Sequence, residues 1–169
     1  MVMMSDQIWE MPLSFINSFA LMFLKNLRPD ICVAVSMVSS YLVEPHWIGA
    51  KNLLRYLQGT ISHGLRYTAR SVILRGYTDA DCAGSVVDRK STSGCCFNLG
   101  SASISWTSRK QKSVALSTAE AEYITSCMAF CEAVWLLKLF SELFVHMMYT
   151  TVILCDNQRW DSIIEESRI

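Results

Sequence analysis

Apolar residues recur three and four apart over the first third of the chain and then switch to strand-like runs, so a helical segment followed by a sheet is expected. From Ala20 to Tyr41 the positions Leu21, Leu24, Leu27, Ile31, Val35 and Val38 keep helical spacing. Arg28-Pro29-Asp30 interrupts them as a break and a fresh helix start, which predicts two helices joined by a turn. Pro45-His46-Trp47 opens a third helix, with Trp47, Ala50, Leu53, Leu54 and Leu57 on one stripe, Lys51, Asn52 and Arg55 off it, and Gly59 as its end.

The period changes near Thr68. Val72 to Asp79 reads as a strand, Gly94 to Leu99 as a second, and Ala102 to Trp106 alternates as a third, with Gly100-Ser101 suited to a tight hairpin turn. Three antiparallel strands in a row follow. Ser117, with Glu120 three residues later, forms a capping box. Ile124, Cys127, Met128, Cys131, Trp135, Leu139 and Leu143 then hold helical spacing, which puts Cys127, Cys131 and Trp135 in the core. Thr151 to Cys155 is a short β-branched run fit for a buried strand, and the tail after Asn157 is helix-like. The expected organisation is a helical segment over 1–68 and an α/β domain over 69–169.

Composition narrows the classes. At 169 residues and 51% hydrophobic, the chain can build an ordinary core in one or two small domains. Basic and acidic residues balance at 15 each, so any nucleic-acid contact must come from a local patch rather than an overall field. The seven cysteines include no C-x-x-C pair and the three histidines stand far apart, which argues against structural zinc and for reduced thiols in an intracellular protein. Met11 to Leu24 is apolar but too short and too interrupted for a bilayer span. Asp6 and Glu10 precede it with no Lys or Arg, the wrong charge for a signal peptide, so a buried helix is expected.

Three acidic strings carry the chemistry: Tyr77-Thr78-Asp79-Ala80-Asp81, Ser117-Thr118-Ala119-Glu120-Ala121-Glu122-Tyr123, and Val152-Ile153-Leu154-Cys155-Asp156-Asn157. Two end strand-like runs and one opens the long helix, so their carboxylates can meet at one sheet edge. Collected carboxylates repel, and a hard divalent cation such as Mg²⁺ or Mn²⁺ is the usual reason to gather them.

The same strings, with Arg28-Pro29-Asp30-Ile31, Leu54-Arg55-Tyr56-Leu57, Gly59-Thr60, Asp88-Arg89-Lys90-Ser91-Thr92-Ser93-Gly94, Ser105-Trp106-Thr107-Ser108-Arg109-Lys110-Gln111 and Cys155-Asp156-Asn157-Gln158, resemble copia-type (Ty1/copia) retrotransposon polyproteins. The resembling region is the end of the reverse transcriptase, its connection, and the start of its ribonuclease H. The resemblance implies a ribonuclease H-like mixed sheet, with three antiparallel strands, a long helix and a further parallel strand. The likeness stops before the fifth strand, its helix and a fourth acidic ligand. It also implies two-metal hydrolysis of the RNA strand of RNA·DNA hybrids, with Asp79, Glu122 and Asp156 as catalytic metal ligands for Mg²⁺ or Mn²⁺. An incomplete ligand set is expected to leave turnover weak or lost. Of the neighbouring carboxylates, Asp81 reads as an edge charge and Glu120 is explained by its cap.

Arg89, Lys90, Arg109, Lys110 and Lys112 cluster around the hairpin and could grip hybrid phosphates; the alternative is an ordinary solvated edge. A membrane partner is not expected, whereas sheet surface left uncovered favours self-association. Two other functions compete. One is a non-catalytic nucleic-acid-binding remnant. The other is a secreted RxLR-type effector acting on host proteins inside plant cells, because short frames similar to this region carry that label. No Arg-x-Leu-Arg string is present; Asn52-Leu53-Leu54-Arg55 comes nearest.

Overall fold

The computed structural model describes residues 21–40, 44–68, 73–143 and 151–155, which fall into two compact units dividing between Gly64 and Leu65. The apolar segment up to Ala20, the tail from Asn157 and Asp156 itself lie outside the described residues.

In the first unit, helix α1 (Leu21–Leu27) is followed by a 3-10 turn (Pro29–Ile31), α2 (Cys32–Ser40) and α3 (Glu44–Gly59). Arg28 is extended at φ −132°, as a residue before proline prefers, and Pro29 starts the turn where its missing N–H is no loss. Ile31, Val35 and Leu53 are buried together, with Leu24 and Leu57 packed against them. Leu27, the last residue of α1, departs from the expected stripe and is 54% exposed.

A polar clamp closes this unit. The Arg28 guanidinium donates to both Asp30 carboxylate oxygens at 2.9 and 2.7 Å and to the Thr60 carbonyl and hydroxyl at 3.1 and 2.9 Å. The Tyr56 hydroxyl donates to Asp30 at 2.8 Å. Hydrogen bonding from Arg28 holds the Asp30 carboxyl down at about 2, and the bond to Asp30 raises the Tyr56 phenol. The clamp ties the 3-10 turn to the end of α3.

In the second unit, β1 (Leu74–Asp81), β2 (Thr92–Leu99), β3 (Ala102–Lys110) and β4 (Val152–Cys155) form one mixed sheet in the order β3-β2-β1-β4. β1 pairs antiparallel with β2 and parallel with β4, and β2 pairs antiparallel with β3. Gly100 takes φ +62° in the hairpin turn, the left-handed conformation that glycine supplies without a Cβ clash. Along β1, buried Leu74, Gly76 and Thr78 alternate with exposed Arg75, Tyr77 and Asp79.

The long helix α4 (Thr118–Leu143) covers this buried face. Leu74, Cys95, Phe97 and Ile153 from the sheet pack with Ala129, Ala133, Leu136 and Phe140 from the helix. The α4 stripe is therefore Ala121, Thr125, Ala129, Ala133, Leu136 and Phe140, not the one the apolar spacing suggested. Cys127 and Cys131 are exposed, and Trp135 is 56% exposed. α4 is apolar nearly all round, so hydrophobicity fixes its period but not its phase. The alanines decide the phase, because small side chains let the helix approach the sheet closely. Among the described residues α4 is also the one helix long and apolar enough by length and composition to cross a bilayer, and in the fold it lies on the sheet.

Candidate functional site

The C-terminal end of β1 and the N-terminal turns of α4 meet at a small pocket lined by Thr78, Asp79, Ala80, Glu122, Thr125 and Cys155. Parallel pairing brings β4 to the same place, with Thr78 registered against Cys155. The Thr78 hydroxyl donates to the Cys155 sulfur at 3.0 Å, and Ser126 reaches the same sulfur at 3.5 Å. Carboxylates 43 positions apart in sequence thus line one surface, and among the described residues no Lys or Arg lines it.

The neighbouring acids divide as their contacts dictate. Glu120 accepts a bond from the Leu116 backbone N–H at 2.7 Å, while its own N–H donates to the Ser117 hydroxyl at 3.2 Å. That satisfies two donors at the start of the helix and leaves Glu120 a capping residue. Asp81 lies against the turn after β1, so close to Gly84 that a Cβ added there would fall 1.7 Å from the Asp81 Oδ2. Among the described residues, Asp79 and Glu122 are the two acids at the pocket. Asp156 follows the pocket-lining Cys155 but lies outside the described residues.

A hard divalent cation fits this donor set in kind, because carboxylate oxygens are the ligands it takes. Asp79 and Glu122 are the residues that would hold it. Among the described residues no group of three or more His, Cys, Asp or Glu side chains is arranged to hold a metal, so these two alone do not make a full coordination shell.

The five basic candidates lie at the same end of the sheet. Thr92 pairs with Asp81 on one side and with Lys110 on the other, so the basic end of β3 is two strands from the acidic end of β1, about 10 Å at the usual strand spacing. Arg109, Lys112 and Arg89 are exposed and Lys90 is half-buried. Lys110 is committed to the β1–β2 loop, bonding the Ser85 hydroxyl at 3.2 Å and pairing with Asp88 at 3.3 Å. The Ser85 hydroxyl, first, and then the Lys90 N–H and Lys110 hold the Asp88 carboxyl below its usual range. Arg89 has φ +54°, a left-handed position fixed in that loop by its N–H bond to the Ser85 carbonyl at 2.8 Å. Thr78, Thr125 and Cys155, all at the pocket, carry no sequence signal of their own; only the strand register and the helix phase reveal them.

The fold and pocket define an α/β protein with a carboxylate pair where a central strand ends beside a helix. Comparison with known proteins supplies the relatives. The chain is 46% identical over 134 residues to the retrovirus-related Pol polyprotein from transposon TNT 1-94 of Nicotiana tabacum, covering 78% of this chain and 10% of that protein. It is 40% identical over 142 residues to the Pol polyprotein from transposon RE2 of Arabidopsis thaliana, 82% of this chain and 10% of that protein. A shorter relative, secreted RxLR effector protein 161 of Plasmopara viticola, is 48% identical over 113 residues, 64% of this chain and 80% of that protein. No family model matches, and no solved structure matches significantly. Over most of its length the chain is thus similar to copia-type retrotransposon Pol polyproteins, and it spans about a tenth of the length of those it matches.

Proposed function

We propose that residues 65–169 form a ribonuclease H-like unit of a copia-type retroelement that acts on the RNA strand of RNA·DNA hybrids inside the cell, using Mg²⁺ or Mn²⁺. The observation that carries this reading is the convergence of Asp79, from the end of β1, and Glu122, from the start of α4, on one pocket beside the last residue of the parallel strand β4. Asp156, next in sequence after that residue, is the third ligand of the proposal.

The chain's own part in the chemistry is electrostatic. Asp79 and Glu122 bring two carboxylates to one small pocket, the oxygen donors that a hard divalent ion takes. A bound cation there would activate the attacking water and stabilise the leaving oxygen of a phosphodiester. Arg89, Arg109 and Lys112, exposed at the same sheet end, would take up backbone phosphates, since a hybrid is recognised by shape and charge more than by sequence. Lys110 and Asp88 hold the loop that presents Arg89.

The test is cleavage of a labelled hybrid by the full chain with Mn²⁺. Activity that Asp79→Asn and Glu122→Gln each remove supports the nuclease. Binding of the hybrid without cleavage supports the non-catalytic remnant, and a chain that neither binds nor cleaves the hybrid rejects both. A second reading is favoured by one observation: the chain covers 80% of the relative named as a secreted RxLR effector. Expression of the full chain in plant cells, scored for suppression or induction of cell death, decides whether that name carries over.

A further inference from the structure

Beneath the acidic pocket lies a buried polar network that the proposed chemistry does not itself use. Gln111, just past the end of β3, is 4% exposed, and Ser93 and Thr125 are 2% and 1% exposed. The Gln111 Nε2 donates to the Ser93 hydroxyl at 2.9 Å and to the Ala121 carbonyl at 2.9 Å, with Thr125 Oγ1 farther off at 3.4 Å. Ser93 and Thr125 share a 2.6 Å bond, and the Thr125 hydroxyl donates to the Ala121 carbonyl at 2.9 Å.

Proton accounting fixes the direction of the chain. Thr125 spends its one hydroxyl proton on the Ala121 carbonyl, so Ser93 donates to Thr125, and the two protons of the Gln111 amide go to Ser93 and Ala121. The Gln111 backbone N–H also bonds the Ser91 carbonyl at 2.8 Å, which pins this residue to the start of β2. The amide therefore joins the sheet to α4 at Ala121 and, through Ser93, at Thr125, one residue before and three residues after Glu122.

We infer that Gln111 is a positioning residue of the candidate site: its side-chain amide locks the first turns of α4 to β2 and sets Glu122 beside Asp79. The inference rests on the ribonuclease H-like reading for what the carboxylate pair does, but not for the lock itself. A second observation points the same way. Among the described residues, Gln111 Oε1 is buried without a hydrogen-bond partner, so a residue needed only to fill space would be better replaced by an apolar one of the same shape. The donor half of the amide is what the structure uses.

The experiment compares the full-length wild type with Gln111→Met, which keeps the shape and loses the donors, with the milder Ser93→Ala, and with Leu136→Ala as a control that loosens the distal half of α4. Mn²⁺ affinity is read from the free-ion electron paramagnetic resonance signal, and amide hydrogen exchange is read over residues 119–125. The lock predicts that Gln111→Met weakens Mn²⁺ binding about 10-fold to 100-fold, as loss of an outer-shell support does. It also predicts faster exchange at 119–125, a smaller effect in Ser93→Ala, and near wild-type Mn²⁺ affinity in Leu136→Ala.

Unchanged exchange at 119–125 in both network variants overturns the inference, as does an equal loss of affinity in Leu136→Ala. If the wild type shows no Mn²⁺ binding that depends on Asp79, the nuclease reading falls. Exchange at 119–125 then still decides the lock by itself.

Discussion

Gly76 sits under the ring of Phe97 in the middle of the central strand. A Cβ there would fall 2.7 Å from Phe97 Cε1 and 3.2 Å from an Ile153 side-chain carbon. The position therefore requires glycine for close approach rather than for backbone freedom. Gly76→Ala is expected to cost about 1–3 kcal/mol in urea unfolding, the usual penalty of overpacking a filled core, with part of it recovered when Phe97→Leu is added. A fully stable single variant would show that the sheet and α4 can separate to make room. At the same scale, Asp81→Asn should keep the Mn²⁺ affinity that Asp79→Asn loses, because the Asp81 carboxylate faces the Gly84 turn. Equal losses would mean that both acids serve one ion.

Among the elements, α4 bears most on the site, since it covers the sheet and delivers Glu122. Its start is held by the Ser117 hydroxyl, which accepts from the Glu120 N–H, and by the Glu120 carboxylate, which accepts from the Leu116 N–H, and Ser117→Ala is expected to cost about 1 kcal/mol. Its packing stripe is decided by burial. Phe140→Ala, at a position 8% exposed, should cost about 3–5 kcal/mol. Trp135→Ser, at a position 56% exposed, should stay within about 0.5 kcal/mol of wild type. Thermal melts of the two variants check the phase of the helix directly, because the reverse order would put the Trp135 face against the sheet.

For the whole molecule, the division into two compact units gives acid and protease sensitivity a definite place. Asp30 is held at about 2 by Arg28, so its contribution is complete above the unfolded carboxylate value near 4 and fades as the pH falls through about 4 toward 2. With the Asp30 side chain 35% exposed, solvent screening limits the contribution to about 1 kcal/mol. Far-UV circular dichroism melts should show an acid-induced loss in the wild type that Asp30→Asn flattens, and an unchanged acid limb in the variant would refute the assignment. Residues 61–68 are exposed throughout and carry no helix or strand, so brief trypsin digestion should cut first at Arg66. Earlier cleavage inside the helices would argue against the boundary.

The strand running through Asp79, the Gly100-Ser101 turn and the Ser117/Glu120 cap were legible because each is written in neighbouring residues. Local chemistry sets a strand, a left-handed turn and a helix start without reference to the rest of the chain. The capping role of Glu120 was likewise within reach, since its spacing from Ser117 already accounted for it. What only the tertiary structure decided was phase and depth: which stripe of an all-round apolar helix meets the sheet, that Trp135 stays outside, and that Gln111 lies buried beneath the pocket. Burial depends on which surfaces meet across long stretches of chain. Hydrophobic spacing along one element cannot choose between two apolar faces until the small side chains of Ala129 and Ala133 are seen against the sheet.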